Sequence, residues 1–295
     1  MKAAPFDYVR PAGLDEACAI LAADEGARLI AGGQTLVPLM AMRLARPTRL
    51  VDIARIGALT YIREEAGALA IGAATRQAII EHDALVAAKV PLLSRVMPWI
   101  GHAPTRARGT IGGSLANADP AAESVLVAIA LGAVLVYRDG AQTKEIAASE
   151  FFVGPMMNAM PQTACLAGVR FPIWREARIG TGFHEISARR SDFAFVSAAA
   201  QVALDADGRC LRLAAAIGAA TDVPLRLAAV EAALAGRRFD EAIVRDIVRE
   251  TMEKAATMSD LHVTPDYRRR VAATLAVRAI GDAFRAAQTQ GAHAH

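Results

Sequence analysis

The hydrophobic pattern near the N-terminus predicts strands and helices that alternate around a pair of glycines, Gly32-Gly33. Ala17, Ile20 and Leu21 recur at the spacing of one helix face. In chain order the pattern predicts a helix over Leu14–Ala23, a strand over residues 28–31, a helix over residues 34–44 and a strand over residues 49–53. The glycine pair therefore lies where a strand ends and a helix begins.

A second run of elements contains another glycine pair, Gly112-Gly113. Asp119 before Pro120 is a typical N-cap and first-turn pair, so we expect it to cap a buried helix. The pattern predicts strands over residues 61–63 and Ala68–Gly72 with a turn at Gly67, a helix from a Thr75 cap to about residue 85, a helix over residues 91–100 ended by Gly101, a buried helix over residues 120–131, and a strand over residues 134–137.

The last third of the chain predicts a sheet covered by helices. Ala194–Leu204 and Cys210–Gly218 predict two strands joined by a turn over residues 205–208. Helical spacing then recurs over residues 225–234, 241–257 and 265–287, with Thr264 as the last cap. We interpret the chain as two α+β subdomains that share a cleft, residues 1–56 and 57–174, then a C-terminal sheet-plus-three-helix domain over residues 175–290. We expect the histidine-containing tail to be frayed.

Composition and charge narrow the class of protein. Of the 295 residues 54% are apolar but only 5% are aromatic, which favours helices and tight packing over a β-sandwich. The formal net charge of +3 is small, and no aromatic residues interleave with the local groups of arginines. Nucleic acid is therefore not an expected partner.

The cysteines and the apolar stretches bear on metals and location. Cys18, Cys165 and Cys210 form no CxxC pair, so we expect neither a zinc site nor an iron–sulfur cluster in this chain. The sparse count suits a reducing compartment. The N-terminus has no apolar run typical of a signal peptide, and the most apolar stretch, residues 125–137, is shorter than the about 20 residues that span a bilayer. We expect a soluble, cytoplasmic protein.

The two glycine pairs are the strongest chemical signal. A pyrophosphate is recognised by backbone N–H groups, and glycine lets those groups approach closely and adopt positive φ. Residues 30–36 provide such a turn before a helix, and residues 110–115 could provide a second from the other side, with Thr110 and Ser114 hydroxyls as extra donors. Either pair alone is more simply an ordinary tight turn. Neither GxxxxGK[ST] nor a strand-linked GxGxxG occurs, so no P-loop or Rossmann site is predicted.

Three motifs in this order give a specific resemblance. Residues 31–35, AGGQT, residues 109–114, GTIGGS, and residues 118–123, ADPAAE, resemble the FAD-binding medium subunit of molybdenum hydroxylases, the xanthine dehydrogenase and carbon monoxide dehydrogenase family. Residues 182–186, GFHEI, with Arg189 and residues 192–194, DFA, are similar to the strand that follows the flavin in that family. The likeness extends from Phe6 almost to the last helix. It implies a two-subdomain FAD-binding fold of the vanillyl-alcohol-oxidase (PCMH) type.

The resemblance also implies which residues hold FAD. The first turn and residues 110–114 would surround the pyrophosphate and ribityl chain, and Asp119 and Glu123 would serve sugar hydroxyls or a polar edge of the cofactor. Helix capping remains the alternative for these two carboxylates, and a plain core position remains the alternative for Leu166. The implied set is Ile30, Ala31, Gly32, Gly33, Gln34, Thr35, Leu36, Thr110, Ile111, Gly112, Gly113, Ser114, Asn117, Ala118, Asp119, Glu123, Leu166, Phe183 and His184, with no catalytic residue and no metal ligand.

Two positions depart from the family pattern. Phe183 stands where some relatives carry a tyrosine beside the flavin ring, and His184 where others carry a lysine that tunes the flavin. Phenylalanine cannot donate a hydrogen bond and histidine is charged only part of the time, so the flavin potential is left open. His102 could touch the flavin, although a surface or capping histidine is the simpler interpretation, and Arg106 follows in the same segment.

The implied function is electron transfer. In the family a large subunit with a molybdenum cofactor oxidises the substrate, two [2Fe–2S] clusters of a small subunit relay single electrons, and FAD passes them to NAD, a quinone or oxygen. We expect a heterotrimer that dimerises. The chain shows no recognisable nucleophile–base pair, which agrees with that division. The alternatives are a stand-alone FAD-dependent reductase of the same fold and a non-catalytic flavin-binding module. The organic substrate is not encoded in any motif of this chain.

Overall fold

A three-stranded parallel sheet lies at the N-terminal end of the chain. The computed structural model describes residues 2–292, and only the backbone of residues 290–292. The order of the sheet is β1-β3-β2, and both outer strands run parallel to β3. Its elements are β1 (Asp7–Val9), α1 (Leu14–Ala23), β2 (Ala27–Ile30), α2 (Leu36–Ala41) and β3 (Arg49–Asp52). Because β2 and β3 are parallel, the turn after β2 emerges at the carboxyl edge of the sheet.

A five-stranded antiparallel sheet follows, in the order β4-β5-β10-β6-β7. Most of its helices are short and lie between β5 and β6. The unit contains β4 (Ile62–Glu65), β5 (Ala68–Gly72), α3 (Gln77–His82), α4 (Ala84–Lys89), α5 (Pro91–Val96), α6 (Ala103–Arg108), α7 (Ile111–Asn117), α8 (Glu123–Leu131), β6 (Val134–Asp139), β7 (Gln142–Ala147), α9 (Ala148–Phe151), β8 (Phe152–Gly154), β9 (Met157–Asn158) and β10 (Cys165–Pro172), with 3-10 turns at Gly57–Leu59 and Met97–Trp99.

The C-terminal part is a four-stranded antiparallel sheet covered by three helices. It contains β11 (Ile179–Ser187), β12 (Ala194–Leu204), β13 (Cys210–Gly218), β14 (Leu225–Arg226), α10 (Ala228–Leu234), α11 (Glu241–Lys254) and α12 (Pro265–Ala292). Helix α12 approaches β11 so closely that a Cβ on Gly182 would lie 1.9 Å from the carbonyl oxygen of Ala279. The tail histidines at 293 and 295 lie outside the described residues.

The two faces of this C-terminal sheet bury different partners. Side chains alternate along a strand, so neighbouring residues point to opposite faces. Phe183 and Ala199 join the core of the second unit, whereas Val196 and Ala198 pack with α10, α11 and α12. Helix α8, of which every residue is buried, packs between the second sheet and the C-terminal sheet. This explains why its sequence is apolar on all sides.

Several predicted elements are confirmed, and others have different bounds in the structure. The helix Leu14–Ala23 and the strands Ala68–Gly72, Ala194–Leu204 and Cys210–Gly218 have the predicted bounds. Residues 225–226 form a strand, so the helix expected from residue 225 begins only at Ala228. The helices expected over residues 34–44 and 91–100 are shorter, Leu36–Ala41 and Pro91–Val96.

Two predicted helix caps have other roles. Thr75 does not cap a helix: its hydroxyl bonds the amide and carbonyl of Tyr61, and helix α3 begins only after Arg76. Asp119 does not cap the buried helix either, because that helix begins at Glu123. The Asp119 carboxylate accepts from the amide of Ala121 at 2.9 Å and so closes the turn before the helix. The Thr75 side chain therefore bonds a residue that is distant in sequence, and the Asp119 side chain bonds an amide only two residues ahead, so neither caps a helix.

None of the described helices is both long enough and apolar enough to cross a membrane. The three larger sheets are centred within the predicted ranges 1–56, 57–174 and 175–290, a division that stays a prediction.

Candidate functional site

One cleft collects most of the residues that carry chemistry. It has a volume of about 650 Å³, within the range usual for small-molecule and cofactor sites. Its walls are the turn after β2, the segment from His102 through α7, the turn that leads into α8, and the loop over residues 191–193. The cleft therefore lies where the first sheet, the second unit and the C-terminal sheet meet.

The first glycine pair forms a turn with unused backbone donors. Gly33 has φ +71°, a conformation that side chains of L-residues rarely adopt. A Cβ on Gly32 would lie 2.4 Å from the carbonyl oxygen of Arg108, so this glycine allows a close approach of two backbones. Among the described residues the amides of residues 32–36 donate to no protein acceptor. Five amides in sequence along the cleft form a ready anion site.

The second glycine pair is not a loop, which corrects the prediction. Gly112 and Gly113 lie in the first turn of α7, with Thr110 as its N-cap. The amide of Gly112 donates to the carbonyl of Ala73 at 2.9 Å, and that of Gly113 to the Thr110 hydroxyl oxygen at 3.0 Å. The amides of Ile111 and Ser114 also have backbone acceptors. This wall offers a helix N-terminus and hydroxyl groups, but no free amide between residues 111 and 114.

Three acidic side chains surround the turn into α8. Burial raises the pKa of Asp119 above its usual value. Burial also raises the pKa of Glu123 to about 7 and that of Glu185 to about 8. The charge of Glu123 raises the pKa of Glu185 further, whereas the hydrogen bond from Glu185 lowers the pKa of Glu123, which the charge of Asp119 raises. Asp119 and Glu123 line the cleft, whereas Glu185 approaches from β11 behind it. The wall therefore holds protons at pH values where carboxyls are normally ionised.

The structure brings most of the implied site residues together. Ile30 to Leu36, Thr110, Gly112, Gly113, Ser114, Asn117, Asp119, Glu123 and Leu166 line the cleft. The Ser114 hydroxyl bonds that of Ser124 at 2.7 Å, so it is less available as a donor than expected.

Four implied residues do not line the cleft. Ile111 is buried in the core, and Ala118, with φ +53°, ends α7. Phe183 is buried against Trp99, with ring centroids 5.3 Å apart. The ring of His184 bonds the Asp282 carboxylate of α12 at 2.8 Å, on the opposite face of β11. The structure therefore does not bring Phe183 and His184 to the cleft, contrary to what the motif suggested.

Residues that the sequence reasoning did not assign also line the cleft. Phe193 is 76% exposed although it is a large aromatic residue, and it follows Ser191, which has φ +70°. Its signal in the sequence was the DFA motif at residues 192–194. His102 lines the cleft too, whereas Arg106 is turned away and forms two hydrogen bonds to Glu81, at 2.7 and 3.0 Å.

The arrangement suits binding more than bond-breaking. It combines free amides for an anion, carboxyls for hydroxyl groups and an exposed aromatic face. Among the described residues no cluster of histidine, cysteine and carboxylate side chains is placed to hold a metal ion. Such groups could together hold a ligand that has an anionic part, hydroxyl groups and an aromatic part.

Comparison with known proteins identifies the family. Residues 4–174 match the model of the FAD binding domain in molybdopterin dehydrogenase, and residues 181–283 match that of the CO dehydrogenase flavoprotein C-terminal domain. The chain belongs to the FAD-binding medium subunits of the molybdenum hydroxylase family. It is accordingly an oxidoreductase chain with FAD as cofactor, and the predicted α+β fold class is confirmed.

Individual relatives of this medium subunit cover nearly its whole length. It is 33% identical over 286 residues to the caffeine dehydrogenase subunit beta of Pseudomonas sp. (strain CBB1), covering 96% of each chain. It is 30% identical to the carbon monoxide dehydrogenase medium chain of Afipia carboxidovorans, covering 93% of this chain and 95% of the relative. Among solved structures, quinoline 2-oxidoreductase from Pseudomonas putida 86 matches with a TM-score of 0.90 and 34% identity, covering 99% of this chain and 100% of that one. Carbon monoxide dehydrogenase from Hydrogenophaga pseudoflava matches with a TM-score of 0.92 and 30% identity, covering 97% and 99%.

Proposed function

We propose that this medium subunit accepts single electrons from [2Fe–2S] clusters of a small partner and passes them to NAD, a quinone or oxygen. A large partner with a molybdenum cofactor would carry out the chemistry on the organic substrate. The single structural observation that supports the cofactor part of this proposal is the row of five amides along the cleft that have no acceptor among the described residues. When bound, FAD supplies a carrier that takes up electrons one at a time and releases two.

The first turn is proposed to bind the pyrophosphate of FAD. Amides 32–36 have no acceptor within the described residues, so they would be available to an anion without the desolvation cost of a buried lysine or arginine. The N-terminus of α7 adds positive potential from the second wall. The Thr110 hydroxyl can still donate its own proton while its oxygen accepts from Gly113.

The other cleft residues are proposed to hold the sugar and ring parts. Asp119, Glu123 and Asn117 offer oxygens and an amide to hydroxyl groups, and Leu166 offers an apolar surface. The exposed ring of Phe193 is proposed to cover a face of the flavin ring, which would bury an aromatic surface that otherwise faces water. Phe183 and His184 are not part of the proposed site.

The partner subunits are supported by what relatives are called. Similar proteins are named subunit beta, medium chain or medium subunit of dehydrogenases and hydroxylases, so they work in assemblies. Their names mention caffeine, nicotine and carbon monoxide, which are chemically unlike one another. We propose that the choice of substrate lies on the large partner, and that two heterotrimers dimerise. The three buried free cysteines support a reducing, cytoplasmic compartment.

The cofactor site is tested by titrating the flavin-free full chain with FAD and following flavin fluorescence and absorbance. We expect saturable binding of one FAD, lost when Gly33 is replaced by valine. A Gly140→Val variant is the matched control, because Gly140 has φ +55° in a turn with no atom near its Cβ position and lies outside the cleft. Equal loss in both variants would contradict the assignment of the first turn.

The partner proposal is tested by purifying the chain from its native host under mild conditions. We expect iron, acid-labile sulfide and molybdenum to co-elute with FAD. A chain that elutes alone with FAD and reduces an acceptor unaided would favour the stand-alone reductase. A chain that elutes alone and transfers no electrons would favour the flavin-binding module.

A further inference from the structure

A buried glutamate and a half-buried one, Glu123 and Glu185, meet behind the wall of the cleft. Glu123 begins α8 and lines the cleft, yet it is only 8% exposed. Glu185 belongs to β11 of the C-terminal sheet, and its Oε2 is buried without a hydrogen-bond partner among the described residues. The pair therefore connects the flavin-binding part of the chain with the C-terminal part.

The packing of the strands explains why Glu185 reaches this place. In the register of the sheet Glu185 lies opposite Ser197, and Ser197 opposite Gly218. A Cβ on Gly218 would lie 3.5 Å from the carbonyl oxygen of Pro120, so this row of residues lies directly under the turn into α8. The amide of Ala219 donates to that same carbonyl at 2.9 Å. The Ser197 hydroxyl is also buried, and it has no hydrogen-bond partner in the described part of the chain.

The described residues provide no positive charge that balances the two carboxyls. Within residues 2–292 neither Glu123 nor Glu185 takes part in a salt bridge, and the other charged group that acts on the pair is Asp119, an acid. His184, next to Glu185 in sequence, points to the opposite face of the strand and binds Asp282. Burial raises the pKa of both groups. The charge of Glu123 raises the pKa of Glu185 further, and the hydrogen bond from Glu185 lowers the pKa of Glu123, as expected when Glu185 holds the proton and Glu123 accepts it.

Two carboxyls that face each other in a buried site cannot both ionise cheaply, and a shared proton removes the repulsion. We propose that Glu185 is a positioning residue for FAD: by sharing a proton with Glu123 it keeps the wall of the flavin cleft from carrying two added negative charges at neutral pH. The inference rests on the proposed flavin site, since the pyrophosphate is the anion that the charges would repel.

The sign of the pH effect follows from the raised pKa values. Below about pH 7 the pair retains at least one proton, and above about pH 8 it loses both. FAD affinity is therefore highest on the acidic side of this window and falls as the pH rises through it. The same linkage makes the folded chain lose stability as pH rises from the unfolded pKa values through the folded ones.

The experiment measures the dissociation constant of FAD for the flavin-free full chain at pH 6 and pH 9. For the wild type we expect the constant to rise about tenfold, which corresponds to one pKa unit of coupling between cofactor and pair. In Glu185→Gln only the Glu123 carboxylate of the pair remains, and the new side-chain amide can donate a hydrogen bond to it. The dissociation constant should therefore change less than about twofold between pH 6 and pH 9. At pH 9 the variant should bind FAD more tightly than the wild type, a gain that simple structural damage would not produce.

A second variant and a control complete the test. Glu123→Gln should reduce the pH dependence of the FAD dissociation constant in the same way. It replaces Glu185→Gln in the test if that variant does not fold. Glu231→Gln is the control, because Glu231 is a poorly exposed carboxylate of the C-terminal part that pairs with Arg226 away from the cleft. It should keep the wild-type profile.

Two results would overturn the inference. One is a wild-type dissociation constant that is the same at pH 6 and pH 9, and the other is a Glu185→Gln profile that parallels the wild type. In either case FAD still binds, so the proposed function stands. A wild-type chain that binds no FAD at any pH would instead remove the proposed site itself.

Discussion

The two glycine pairs have the same sequence and line the same cleft, but their backbone amides have different roles. After β2 the chain takes a positive φ at Gly33, and within the part of the chain that the structure describes amides 32–36 have no protein acceptor. At the start of α7 the pair Gly112-Gly113 is helical, and its amides are satisfied by Ala73 and Thr110. A diglycine motif therefore does not by itself indicate an anion site. A diglycine motif can bind an anion only where the backbone amides that follow it are not already bonded to acceptors within the protein.

The pairs also share a feature. In each, the first glycine permits a close contact: Gly32 with the backbone at Arg108, and Gly112 with Ala73. The second glycine is the more open one, since Gly113 would place a Cβ near only the Thr110 hydroxyl. In each pair the first glycine is thus a packing position and the second is a cleft position. Substitutions at the two positions can separate these roles.

The largest expected effect is at Gly112. A Cβ there would lie 2.4 Å from Cβ of Ala73 and 2.6 Å from its carbonyl oxygen, so Gly112→Ala has to displace α7. We expect the free energy of unfolding to fall by about 3 kcal/mol and the Tm by roughly 5–10 °C, as measured by thermal unfolding. Gly113→Ala is the control and should change stability by less than about 1 kcal/mol. Equal effects at the two positions would mean that the packing role is not confined to the first glycine.

The next largest effect is at Gly33 and concerns binding. Gly33→Ala forces an alanine into the left-handed region, at a cost of about 1–2 kcal/mol, or moves the turn and its amides. Losing one charge-assisted hydrogen bond costs about 1.5–3 kcal/mol, so FAD affinity should fall roughly ten- to hundredfold in fluorescence titration. Gly140→Ala should cost similar stability while leaving FAD affinity unchanged. Unchanged affinity in Gly33→Ala would show that the free amides are not the anion site.

A smaller effect is expected at Thr110, the cap of α7. Thr110→Val removes the acceptor for the Gly113 amide and should cost about 1 kcal/mol of stability. Thr110→Ser keeps the hydroxyl and should retain most of that stability, which urea unfolding of both variants can compare. If valine and serine behave alike, the cap does not hold the second pair in its helical form.

The smallest effect is expected at Gln34. Its side-chain amide donates to the carbonyl of Gly32 at 3.0 Å, but the residue is exposed. Gln34→Ala should change the free energy of unfolding by less than about 0.5 kcal/mol and FAD affinity by about twofold or less, by calorimetry. A large loss of affinity would assign the first turn a side-chain contribution beyond its amides.

Much of the fold could be predicted where local pattern and tertiary packing agree. Leu14–Ala23 and the long strands β12 and β13 show strong periodicity or long apolar runs, and their bounds were predicted correctly. Asp119 and Thr75 were assigned as caps because their neighbours in sequence allow it. The structure gives each another partner, Ala121 and Tyr61, because a cap competes with every donor and acceptor that the fold brings within reach.

The site was predicted unevenly for a similar reason. Motifs identified the turn at residues 30–36 and the residues from Thr110 to Glu123, most of which do line the cleft. They also suggested Phe183 and His184, which lie on opposite faces of β11 and contact Trp99 and Asp282. A motif indicates that a strand lies near a cofactor. Which of its side chains reaches the cofactor depends on the alternation of side chains along the strand and on the helix that covers each face.

By itself the sequence determined the family, the FAD cofactor and the order of those elements that it predicted, because these follow from local patterns and motifs within the chain. Only the tertiary structure decided which amides stay free and which carboxyls meet. Residues 111–114 lose their donors to Ala73, Thr75 and Thr110, and Glu185 meets Glu123 across the contact of β11 with the turn into α8. Hydrogen-bond satisfaction and carboxyl pKa depend on distances between parts of the chain that are far apart in sequence, and those distances are set by packing.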